Sequence, residues 1–134
     1  MYKKRKGFTL FEVIITISLI AILSSIILPK YIAYREKVEV SKAIFTGKEI
    51  NKVVIMSYIQ QGSVFVKSEI ISLMQRTTEI NLLDGDMSIN PLDAGMVTIN
   101  FHSQDKNYSI TIQANAEYKI YTSGGMIFKE NESA

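Results

Sequence analysis

Cysteine is missing from this chain of 134 residues. That absence excludes a structural disulfide, a thiolate metal site and a cysteine nucleophile together. Histidine occurs once, as His102, in the polar phase of an alternating stretch, where a surface or rim role is the ordinary one. No glycine-rich phosphate loop is present, and no constellation of residues has catalytic spacing. Neither an enzyme nor a bound cofactor is expected. Basic residues are also too few to make a face. The formal charge of +2 becomes −2 once Lys3, Lys4, Arg5, Lys6 are set aside, so no nucleic-acid partner is expected. Tyr31, Tyr34, Tyr58, Tyr108, Tyr118 and Tyr121 suit amphipathic packing better than a stacking platform for bases.

Charge is scarcest in one stretch, and that stretch organises the chain. Phe8 to Leu28 is apolar apart from a few hydroxyl residues and a single charge, Glu12. As a helix it would reach roughly 32 Å, enough to cross a bilayer core. The basic block Lys3-Lys4-Arg5-Lys6 abuts it directly. An ordinary secretory signal fits poorly. The apolar run is too long, and Leu28-Pro29-Lys30-Tyr31 is no small-residue cleavage site. A plain signal anchor with its N-terminus inside is the other reading. Lys30, Arg35 and Lys37 follow on the far side, so the orientation rests on the compact leader block. A carboxylate inside such a span is costly, by about 2.5–3.5 kcal/mol when central, and something should offset that cost.

The run K-G-F-T-L-F-E-V, continued by apolar residues to I-L-P, resembles the class III signal of type IV pilins and pseudopilins. The resemblance covers about the first 30 residues and almost none of the rest. It implies cleavage by a prepilin peptidase between Gly7 and Phe8, on the cytoplasmic side, with N-methylation of the new terminus at Phe8. It implies retention of the apolar helix and polymerisation through it. Glu12 falls where the family places its glutamate, and Pro29 matches the family's helix-kinking proline. Implied partners are the prepilin peptidase, other pilin subunits as homo- or hetero-polymer, the membrane before assembly, and the assembly ATPase and platform protein of the pilus machine. The implied location is a single-pass cytoplasmic membrane protein, N-terminus inside, and then a cell-surface filament.

The same residues have a physical reading. Phe8 and Glu12 are spaced i, i+4 and would share one helix face. After cleavage Glu12 can neutralise its own chain's Phe8 amine or that of a neighbour shifted along the axis. Removing one partner from such a shielded pair costs about 3–5 kcal/mol, which would let Glu12 set axial register. The plain alternative is an interfacial glutamate near the headgroups. Pro29 cannot bond the Ser25 carbonyl and should kink the helix, with Ser24 and Ser25 partly satisfying freed carbonyls. Alternatively, Pro29 starts a new helix at its first turn.

From Lys30 to about Gln61 the pattern is that of an amphipathic helix, with Ile32, Val38 or Val40, Ala43, Ile44, Ile50, Val53, Val54 and Tyr58 on its dry face. Gly47 weakens it locally. A short helix is expected over Ser68–Met74. Asp84-Gly85-Asp86 and Asn90-Pro91 are turn signals. The period then changes to two. Val97, Ile99 and Phe101 alternate with polar residues, as do Tyr108, Ile110 and Ile112. Further strands are expected at Tyr118–Thr122 and Met126–Lys129, joined by hairpin-sized linkers. Some pseudopilins hold calcium in a head-domain loop. Asp84, Asp86 and Asp93 are therefore a candidate calcium set beside the plain reading of an acidic turn.

The expected fold is α+β: a long N-terminal helix, part membrane and part amphipathic, packed on a small antiparallel β-meander, pilin-like. Its parts are a leader (1–7), an apolar assembly helix (8–29), an amphipathic head helix (30–61) and a connecting region with sheet (62–134). The expected function is a pilin or minor pilin of a type IV pilus. The alternatives are a pseudopilin of a type II secretion or DNA-uptake system and, more distantly, an anchored extracytoplasmic binding domain that does not polymerise.

Overall fold

A computed structural model describes residues 7–80, 82, 84–90 and 95–130, with the backbone alone at Asp84. The chain divides into two compact units, one ending at Val38 and the other beginning at Glu39. One helix, α1 (Leu10–Gln60), enters both.

In the first unit every described side chain of α1 from Leu10 to Lys37 is exposed. The expected burial of Ile32 is not found, since this residue is 53 % exposed. The apolar surface runs all round the helix, so no stripe can be selected for a core. Thr16, Ser18 and Ser25 bond back to carbonyls of the helix itself. Thr16 Oγ1 donates to the Glu12 carbonyl (2.8 Å), Ser18 Oγ to the Ile14 carbonyl (2.7 Å) and Ser25 Oγ to the Ile22 carbonyl (2.7 Å). Each such bond lowers the cost of placing a hydroxyl in an apolar medium. The Ser25 hydroxyl bonds the Ile22 carbonyl and not one freed by Pro29. Pro29 does not begin a second helix, because α1 is helical on both sides of it.

The second unit is a helix-on-sheet layer. α1 buries Ala43, Gly47, Ile50, Val53, Val54 and Ser57, an i, i+3/i+4 set that lies along one face. The helix ends before Gly62, whose φ of +73° only glycine adopts freely. α2 (Lys67–Thr77) adds Ile70 and Met74 to the core. It extends past the expected Ser68–Met74 on both sides, and its end is closed by Thr78, which bonds the Met74 carbonyl through both backbone N–H and hydroxyl (each 2.9 Å).

A 3-10 turn at Asp84–Asp86 leads into β1 (Met87–Ile89), a strand the sequence reading leaves in the connecting region. β2 (Met96–Ser103), β3 (Lys106–Gln113), β4 (Tyr118–Thr122) and β5 (Gly125–Glu130) follow. The five strands form one antiparallel sheet in chain order. Register places Met87, Ile99, Ile110, Ile120 and Phe128 in one cross-strand row, and Val97, Ile112 and Tyr118 in the next. A period of two sends each of these to the same face. That face and the dry face of α1 supply most of the buried core. α1 comes close to the sheet at Gly47: a Cβ there would lie 2.4 Å from Ile120 Cδ1.

Candidate functional site

Gly7, Phe8 and Thr9 carry no regular secondary structure and are exposed, Phe8 by 90 %. Nothing among the described residues requires glycine at position 7. A Cβ there would meet no atom within 4 Å, and its φ lies outside the left-handed region. Any demand for glycine at this place is therefore not set by the described residues.

α1 starts at Leu10 for a reason written in the next residues. The Thr9 carbonyl accepts the first intrahelical bond, from Val13 N–H (3.2 Å). Thr9 Oγ1 accepts from the Glu12 N–H (3.2 Å), and Glu12 Oε2 accepts from the Thr9 N–H (3.1 Å). These two reciprocal bonds satisfy two donors that a helix start leaves without partners, in the T-x-x-E arrangement known as a capping box. A carboxylate in the first turn is favoured by the helix dipole as well. The sequence reading passes over Thr9, although the signal T-x-x-E was there to find. It also expects Phe8 and Glu12 on one helix face. Phe8 instead precedes the helix, and the carboxylate of Glu12 faces its own helix start.

Residues 2–28 match the family model of the prokaryotic N-terminal methylation motif. The chain carries the class III signal of type IV pilins and pseudopilins. This prepilin signal implies processing by a prepilin peptidase and assembly with other pilin subunits. It runs directly into the one helix among the described residues that is long and apolar enough to cross a membrane, which fits a membrane-anchored protein. The match ends at Leu28, so the second unit carries none of the prepilin signal. No curated protein and no solved structure matches the chain at a significant level.

The remaining candidates lie in the second unit. His102 is exposed, and its Nδ1 is 2.7 Å from Oδ1 of Asn107, its cross-strand partner. A groove of about 1180 Å³ opens beside this pair, lined by hydroxyl residues and by Glu49, Glu79 and Asp86. Of the candidate calcium set, Asp86 is half-buried, whereas the Asp84 side chain and Asp93 lie outside the described residues. Among the described residues no cluster of three or more His, Cys, Asp or Glu is placed to hold a metal. Lys106 Nζ of β3 pairs with Glu39 Oε2 of α1 (3.3 Å), and Lys129 Nζ of β5 pairs with Glu117 Oε1 (3.4 Å). Lys48 Nζ stands 5.1 Å from the centre of the Phe128 ring. The Tyr118 hydroxyl donates to Glu130 Oε2. Burial first, and then this hydrogen bond and the charge of Glu130, push the Tyr118 hydroxyl well above the usual tyrosine range.

Proposed function

We propose that this chain is a pilin or minor pilin of a type IV pilus. It is cleaved after Gly7, methylated at the Phe8 amine and polymerised through the apolar part of α1. The carrying observation is the direct run of the methylation motif into a helix whose first unit buries no side chain. Apolar surface of that extent needs a solvent of its own kind. Lipid meets the need before assembly, and the same helices of other subunits meet it afterwards. Pro29 introduces a bend near the outer membrane surface. The assembly ATPase and platform protein of the pilus machine draw the subunit out of the membrane. The chain works as a structural element with neither catalytic centre nor cofactor.

Glu12 gives the reading its electrostatic content. One carboxylate offers two oxygens and about four acceptor positions, so it can cap its own helix and still accept from a neighbour's Phe8 amine. Inside a bundle of apolar helices that pair is shielded, and register follows from it. Glu12→Gln tests this. Glutamine can replace glutamate in a capping box, so the helix start should persist. Processed subunit should accumulate in the membrane fraction, and filament in the sheared-surface fraction should fall at least tenfold on immunoblots. Wild-type filament yield would refute the register role.

A further inference from the structure

We propose that Thr9 and Glu12 are positioning residues for the processing step, acting by holding the helix start two residues beyond the scissile bond, with Phe8 and Thr9 between. The proposal rests on the assignment of cleavage to the Gly7–Phe8 bond. Hydrolysis there adds one water across the amide, leaving a carboxylate on Gly7 and an ammonium on Phe8. A peptidase must seat the amide in extended, accessible chain, because a peptide group wound into a helix presents neither face of its carbonyl freely. The chain in front of α1 meets that need: Gly7 and Phe8 are exposed and outside the helix.

Nothing in residues 7 and 8 themselves stops the helix there. Phenylalanine is an acceptable helix residue, and glycine ranks close to threonine as an N-cap. If the cap at Thr9 were lost, the next available start would place Gly7 at the N-cap and Phe8 in the first turn. The scissile bond would then join the cap to the first helical residue. The Thr9 hydroxyl and the Glu12 carboxylate prevent this by making the reciprocal bonds that define the start at Leu10. Glu12 thus has a role in the precursor, before any neighbouring amine exists for it to meet.

The experiment is cleavage of the full-length precursor, in detergent micelles, by purified prepilin peptidase. Initial rates are compared for wild type and for Thr9→Val, Thr9→Ser, Thr9→Asn and Glu12→Gln. Valine matches threonine in shape but cannot accept the Glu12 N–H. Serine and asparagine are strong N-caps of different shape, and glutamine keeps the box. Thr9→Val should be cleaved about fivefold more slowly, in line with the usual worth of an N-cap. The other three should stay within twofold of wild type. Amide hydrogen exchange should show added protection at Phe11, the donor that would bond the Gly7 carbonyl in the shifted helix, in Thr9→Val only. Valine cleaved as fast as wild type would overturn the proposal. So would serine and asparagine as slow as valine, which would mean that the peptidase reads the threonine side chain itself. Wild-type precursor left uncut would instead refute the cleavage assignment beneath the proposal.

Discussion

Replacing Gly47 by alanine should destabilise the second unit although alanine is the better helix former. Two effects compete. Alanine in a helix interior gains about 1 kcal/mol over glycine. Against that, the new Cβ would stand 2.4 Å from Ile120 Cδ1 and 3.2 Å from Cγ1, with Ile110 Cδ1 at 3.6 Å behind them. Ile120 and Ile110 are both 0 % exposed, so neither side chain can swing into solvent. Forcing a methyl into a packed core costs about 1–3 kcal/mol, which leaves a net loss of about 1 kcal/mol. The partner change is Ile120→Val, which removes Cδ1 and alone should cost about 1 kcal/mol. Independent effects would make the double variant about 2 kcal/mol less stable than wild type. The close approach couples the two sites instead. Without Cδ1 the Cβ is accommodated, the helix gain of alanine offsets the lost methyl, and the double variant should lie within about 0.5 kcal/mol of wild type. Urea denaturation followed by circular dichroism measures all four species, in micelles for the full chain and in buffer for a fragment beginning at Ala33. Additive losses would refute the close approach of α1 to β4 at Gly47.

Further outcomes follow from the same layer. The fragment beginning at Ala33 keeps the buried face of α1 and all five strands, and should be soluble with an α+β circular dichroism spectrum; a disordered fragment would show that this unit does not fold without its membrane part. Tyr118 makes stability depend on alkaline pH. Its ionisation is raised in the folded state, so the contribution is complete below the unfolded-state value of about 10 and is lost progressively as pH rises above it. Tyr118→Phe should lose about 1 kcal/mol at pH 7, a modest figure because Glu130 is exposed, and its stability should fall less than that of wild type between pH 10 and pH 12. Parallel alkaline unfolding curves for the two proteins would contradict the assignment.

Much of the fold can be read from the chain, for identifiable reasons. A long apolar run broken only by Glu12 has few physical solutions, and a helix is the commonest. Val97, Ile99 and Phe101, with Tyr108, Ile110 and Ile112, show a period of two that only a half-buried sheet explains, and the register joins them as expected. β1 escaped because Met87, Ser88 and Ile89 are too few to show a period between two turn signals. Gly47 reads as a weak point of the helix in sequence because close approach to Ile120 is a tertiary fact, invisible in local propensity. The helical period continues through Ile32 and predicts it on the dry face, but the packed layer begins only in the second unit. The candidate site was legible at Gly7, Phe8 and Glu12 as a linear signal. The cap at Thr9 is legible too, as the T-x-x-E box inside the same five residues, whereas the place of Phe8 outside the helix is not, because the i, i+4 spacing of Phe8 and Glu12 carries no mark of where the helix starts.

The proposed function requires that this chain be cut, methylated and carried to the surface as a filament subunit. The most direct measurement is intact-mass spectrometry of the chain recovered from sheared surface filaments and from the membrane of the same cells. One species is expected in the filaments, beginning at Phe8 and bearing a single methyl group on its amine, and the same species as a membrane pool. A chain that retains Met1, begins beyond Pro29, or is found in the membrane alone would contradict it.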